Sequence, residues 1–297
     1  MATRERHENQ ANCEASVAGT IRALSQRMPV WGIAGHPFID LERYVDVARL
    51  EALHDEIALG LALVPTEYTG GSHKTMGIVP PSLVDAPYVD YGHVLAKMSD
   101  EELGTFVSLA TEPSKFDRAR LREYAFGEEN EHPLSKKQML FLKYRYGVYF
   151  PWQVFYEMIP TLNWEDKANG AGKDFTREAK LHFPRLVAFV KTLPFTAVGR
   201  CNILGLDADH HGTVHYDGNP EDPEAEHFIT LCPKKNKRLF LWDEAKKKKT
   251  IVSSRAYWFN DHGYHGVEPD PYFRYSIRVD GVFEPEFLAG IRRDWRI

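Results

Sequence analysis

Cysteine is scarce in this chain. There are three among 297 residues, Cys13, Cys201 and Cys232, widely spaced and without a CxxC pair. That excludes a disulfide framework and suits a reducing compartment. No apolar run is long enough to span a bilayer. The amino-terminal stretch "MATRERHENQANCEASVAGTIRALSQRMPVWG" lacks the uninterrupted apolar segment of a signal peptide. The expectation is a cytoplasmic protein with no membrane partner. Strong charge of one sign is also missing: a formal net charge of −5 implies no general attraction to nucleic acid. "YTGGSHKTMG" does not have the form of a phosphate-binding loop, and no GxSxG elbow occurs. What remains is 43% hydrophobic and 27% charged, the composition of a globular protein with an ample core.

The first two-thirds read mostly as helix. Asp40 is expected to cap "LERYVDVARLEALHDEIALGLAL". Ser99 with Glu102, and Ser135 with Gln138, form capping-box patterns, and Gly147 is a stop for the second. A further helix runs from about Asp174, kinked at Pro184 and ended by Pro194. Residues 65–92, rich in Gly and Pro, read as a lid-like loop. After Pro194 short β-type runs follow one another: "AVGRCNILGL", "TVHYD", "HFITLC", "RLFLW", "TIVSS", "AYWFN" and "FRYSIRV". Turn or charged clusters separate them, as in an antiparallel sandwich or barrel. The expected class is therefore α+β in a single domain, 1–297. A mainly helical part, 1–194, would pack on a β core, 195–297. The lysine-rich pieces "KKNKR" and "AKKKKT" read as a solvated hairpin.

Histidine carries the chemical signal. Six of the thirteen (His210, His211, His215, His227, His262 and His265) fall within 56 residues, and imidazole is the commonest metal ligand near neutral pH. In "VHYDG", His215 and Asp217 stand at i and i+2, so on a strand both side chains share a face. One distant histidine would complete a 2-His-1-carboxylate triad, which holds Fe(II) and leaves positions open. His265, 50 residues downstream, is preferred to His262 for that place. Arg274 follows nine residues later, with Ser276 completing Arg-x-Ser. In "FRYSIRV", Arg274, Ser276 and Arg278 share one strand face, opposite Phe273, Tyr275, Ile277 and Val279.

The elements "HYD", "YHGVEP" and "RYS", in that order, resemble the Fe(II)/2-oxoglutarate-dependent oxygenases over about residues 197–283. The resemblance implies a double-stranded β-helix with the metal in its mouth. His215, Asp217 and His265 would be both the catalytic centre and the iron ligands. Arg274 with Ser276 would hold the far carboxylate of 2-oxoglutarate, and Arg278 would serve as cosubstrate anchor or substrate contact. The cosubstrates would be 2-oxoglutarate, converted to succinate and CO2, and O2. The expected outcome is hydroxylation of a small polar molecule, an amino acid or peptide-like natural product. The oligomeric state stays open. Alternatives are the same reaction on a protein side chain, or a metal-binding β-barrel of isomerase or ligand-binding type. A zinc site on a His211–His215 helix turn is disfavoured by the "GTV" between them.

Overall fold

The computed structural model describes residues 32–33, 35–66, 92–122, 134–148, 154–161, 165–217, 225–234, 237–243 and 245–296. The lid-like loop expected at 65–92 therefore lies outside the described residues except at its ends. Among the described residues no helix is long and apolar enough to cross a membrane.

Among the described residues ten strands form two antiparallel sheets. In chain order they are β1 (Phe38–Asp40), β2 (Val154–Ile159), β3 (Phe195–Leu206), β4 (Gly212–His215), β5 (Phe228–Leu231), β6 (Leu239–Asp243), β7 (Lys248–Ile251), β8 (Ala256–Phe259), β9 (His265–Val267) and β10 (Arg274–Phe283). The first sheet has the order β1-β8-β5-β10-β3-β2, and the second β4-β9-β6-β7. From β3 onward the chain crosses between the sheets at every step except the β6–β7 hairpin. β10 is central. It pairs with β3 through Ile277↔Ile203 and Val279↔Cys201, and with β5 through Ile277↔Leu231.

Both faces of β10 are buried, for different reasons. Tyr275, Ile277 and Val279 join the apolar core beneath the helices. There the Tyr275 hydroxyl lies 2.9 Å from Nδ1 of His54, and the Tyr156 ring of β2 packs 5.4 Å from Phe183. Arg274, Ser276, Arg278 and Asp280 are equally buried on the other face. That face is polar yet inward, which requires partners for every charge it carries.

The helices are shorter than the apolar stripes predict. Asp40 does not cap a helix: it ends β1, and its Oδ1 accepts from Glu42 N and Ser254 Oγ. β1 is held on β8 by the register Phe38↔Phe259, so the chain must turn before a helix can begin. α1 (Val47–Glu51) starts instead at the cap Asp46, and α2 (His54–Leu63) follows after a break. Both capping boxes form as read, at the starts of α3 (Asp100–Ser108) and α4 (Lys136–Tyr146). Gly147 closes α4 with φ 69°. The helix expected from Asp174 is two: α5 (Arg177–His182), capped by Thr176, and α6 (Pro184–Val190). Phe183 between them is non-helical because Pro184 disfavours the α region for the residue before it. The strands β1, β2 and β9 and the terminal helix α7 (Pro285–Trp295) were among the elements not anticipated.

One close approach matters for the site. The 3-10 turn Glu165–Ala168 lies against β3 at Gly199, where an added Cβ would fall 2.3 Å from the Lys167 carbonyl oxygen. The atom that would have to move is backbone. Gly199→Ala should therefore cost about 1–3 kcal/mol by overpacking, read as a lowered midpoint in thermal or urea unfolding. A midpoint equal to wild type would show that this approach is not tight.

Candidate metal centre

β4 and β9 bring the centre together. His215, at the end of β4, pairs with His265, at the start of β9, and their rings stand 4.4 Å apart. Asp217 lies beyond the end of β4, so the strand alternation used to orient it does not apply. A backbone bond does that work, from Asp217 N to the Asp261 carbonyl at 2.8 Å. Its Oδ1 is then 3.8 Å from His215 Nε2, and its Oδ2 is 3.8 Å from His265 Nε2. Two donors that each bind a metal at about 2.1 Å can stand no more than about 4.2 Å apart, so both separations fit one ion. His215, Asp217 and His265 form a group whose ligand atoms lie within 4.8 Å of one another. The zinc reading of His211–His215 required a helix, and the structure has the strand β4 there.

The protonation states suit ligation. His265 Nδ1 donates to the Gly263 carbonyl at 2.9 Å, which leaves Nε2 as the free donor atom. Burial, helped by the neighbouring His215, pushes the His265 pKa down to about 4, against the opposing pull of Asp217. Burial works against ionisation of Asp217. The adjacent His265 and His215 rings and the Arg278 and Lys167 cations outweigh it and hold the carboxyl below the usual carboxylate range. A neutral imidazole beside an ionised carboxylate is a ready metal-binding pair.

Around this centre lies a buried island of charge. Arg278 NH2 donates to Asp261 Oδ2 at 2.6 Å, its Nε to Asp280 Oδ1 at 2.8 Å, and its NH1 to Asp217 Oδ2 at 3.4 Å. Its guanidinium carbon sits 3.9 Å over the Phe228 ring. Arg200 donates to the other Asp280 oxygen at 2.9 Å. Lys167 meets Glu226, and its Nζ is 4.0 Å from Asp261 Oδ2. His262 is buried on this side, grouped with Glu226 and Asp261 and apart from the His215–Asp217–His265 group.

Arg274, fully buried, donates to the carbonyls of Asp207 (2.8 Å), His210 (2.5 Å) and Glu268 (2.7 Å). It thus ties together the loops before β4 and after β9. Ser276 accepts from Lys237 Nζ at 2.5 Å. Lys237 belongs to "KKNKR", read from sequence as a solvated turn, yet it is only 7% exposed. Burial, with repulsion from Arg274, lowers its pKa to about 7, against a pull from Cys232. A period-2 signal was present: Lys237, Leu239 and Leu241 alternate on one side of β6. The buried partners Lys167, Asp261 and Asp280 and the half-buried Glu226 carry no local motif.

No family model and no curated protein matches the chain. Among solved structures it is similar to an oxidoreductase of the 2OG-Fe(II) oxygenase family from Burkholderia pseudomallei (12% identity, TM-score 0.28, covering 42% of this chain and 66% of that one). It is also similar to a Pseudomonas putida prolyl-4-hydroxylase (12%, 0.24, 35% and 64%). A third is the viral collagen prolyl hydroxylase of Paramecium Bursaria Chlorella virus-1 (8%, 0.26, 44% and 78%). The match spans less than two thirds of the first two chains' length.

The depressed His265 pKa has a measurable consequence. The folded form stays neutral while the unfolded imidazole, with its ordinary pKa of about 6.5, takes up a proton. Stability should be unaffected by this group above pH 6.5 and should fall as the pH drops from 6.5 towards 4. The loss should total about 3 kcal/mol. Urea unfolding of the metal-free chain across that range should show this limb, and His265→Asn should lack it; an identical acid limb in the variant would assign it elsewhere.

Proposed function

We propose that this chain is an Fe(II)- and 2-oxoglutarate-dependent oxygenase built on a double-stranded β-helix, hydroxylating a small polar molecule such as an amino acid or peptide-like natural product. The observation that carries the reading is the division of labour along one face of β10. At one point of that face Arg278 meets the carboxylate of a two-histidine, one-carboxylate cluster. Two residues away Ser276 meets the buried ammonium of Lys237, and Arg274 adds its charge four residues away. Two residues of strand span about 6.8 Å, a separation suited to a five-carbon diacid with one end at a metal and the other at a cation. The crossing of consecutive strands between two sheets supports the fold reading.

The residues fit such a centre. His215, Asp217 and His265 would hold the iron, which when bound supplies oxygen activation coupled to decarboxylation of 2-oxoglutarate. Ser276 and Lys237 would receive the far carboxylate as a charge-assisted hydrogen-bond pair. Arg274 shapes that end by fixing the two loops it bonds, and its positive charge further favours an anion there. Phe259 of β8 packs against the His265 ring at 5.0 Å and shields that ligand side chain. The substrate class rests on the modest formal net charge of −5, which gives no general attraction to nucleic acid.

Incubation with Fe(II), 2-oxoglutarate and oxygen should release succinate, and His215→Ala, Asp217→Ala and His265→Ala should each abolish it. Full turnover in any one of these removes that residue from the ligand set. Lys237→Met should raise the 2-oxoglutarate requirement about 10- to 100-fold, the worth of a hydrogen bond to a charged group. The pH dependence has a definite sign. A carboxylate raises the Lys237 pKa above its free value of about 7, so binding near pH 8 takes up a proton and weakens as the pH rises. Calorimetry in two buffers of different ionisation enthalpy reads that proton directly; no uptake would place the carboxylate elsewhere.

A further inference from the structure

Three groups that the proposed reaction leaves unused form a second cluster. Glu226, Asp261 and His262 each offer a ligand atom, and the three atoms lie within 4.8 Å of one another. His262 is 1% exposed, and neither ring nitrogen has a hydrogen-bond partner among the described residues. Oδ1 of Asp261, 3.9 Å from His262 Nε2, is in the same condition. Buried polar atoms are rarely left so. By donor type, one imidazole with two carboxylates suits a divalent ion as well as the first cluster does. The two clusters adjoin, since Asp217 N donates to the Asp261 carbonyl and Arg278 reaches a carboxylate of each.

What distinguishes them is a cation already in place. The Lys167 ammonium, carried in by the 3-10 turn on β3, contacts Glu226 Oε2 and stands 4.0 Å from Asp261 Oδ2. With Arg278 on the other side, the negative charges of Glu226 and Asp261 are offset by two positive ones. In the first cluster Arg278 approaches the Oδ2 side of Asp217 alone, and Oδ1 stays turned to His215.

We propose that Lys167 is a built-in cation that fills the Glu226–Asp261–His262 cluster and so confines divalent metal to His215–Asp217–His265. The identity of the first site rests on the functional reading above; the blocking of the second does not. Lys167 is then a specificity device, excluding a second ion that would compete for Asp261 and draw Arg278 away from Asp217.

The test is Co(II) titration of the full chain, with bound equivalents counted and visible absorption recorded. Wild type and Lys167→Arg should bind one equivalent. Lys167→Gln should bind two, with the second at least about 100-fold tighter than any second binding to wild type, the scale of a charge repulsion at about 4 Å. Lys167→Gln/His262→Ala should return to one. Two equivalents in wild type, or one in Lys167→Gln, would overturn the proposal. If Lys167→Gln does not fold without metal, it is refolded with Co(II). Recovery with two equivalents supports the proposal, whereas recovery with one, or none, overturns it. His215→Ala separates the two readings. It should remove the first equivalent, and failure to do so sinks the triad assignment while the comparison of Lys167 variants still counts the second site.

Discussion

The structure depends on the Arg278 guanidinium. It is buried, and it joins Asp280 on its own strand to Asp261 in the β8–β9 turn and to Asp217 after β4. Burying one such charge costs several kcal/mol unless it is paired and hydrogen-bonded. Here the pairing fastens three segments distant in sequence around one point. Burial opposes the charge, but Asp280, Asp261, Asp217 and Glu226 together more than offset it and keep the guanidinium protonated. Any rearrangement that moved Asp217 would also strand part of this network, so the geometry of the Asp217 carboxylate is tied to the stability of the fold.

A second consequence is the division of the interior. The apolar face of β10 meets α2 through Tyr275 and His54 and shares one hydrophobic core with residues of α5 and α6. The opposite face carries Arg274, Ser276, Arg278 and Asp280, each engaged differently: backbone carbonyls, a lysine, three carboxylates, and two arginines. The charges of such a face are held in place before any ligand arrives, which limits the reorganisation that a bound ligand would demand.

Local signals in the sequence translated well where the physics is local. The two capping boxes and the Gly147 stop form as their residues dictate, because a cap is completed within four residues. Each β-type run after Pro194 contains a strand, although "TVHYD" and "TIVSS" extend past the ends of β4 and β7. Apolar periodicity misled where tertiary contacts override it: pairing of β1 with β8 turned Asp40 from a helix cap into a strand end, and Pro184 broke a stripe that looks continuous. Lys237 was missed because a lysine-rich run reads as solvated, although one of its members faces inward at the entry to β6.

The sequence by itself determined the donor types, their order, and the alternation that gives "FRYSIRV" one apolar and one polar side. Those follow from residue chemistry and the two-residue repeat of a strand. Only the tertiary structure decided that His265 sits opposite His215 while His262 joins Glu226 and Asp261. It alone set Arg274 on loop carbonyls and Lys237 against Ser276. Apart from Asp261 and Glu268, which lie near their partners in the chain, these pairings join residues 36 to 67 positions apart, and nothing in a local window encodes which buried charge will find which partner.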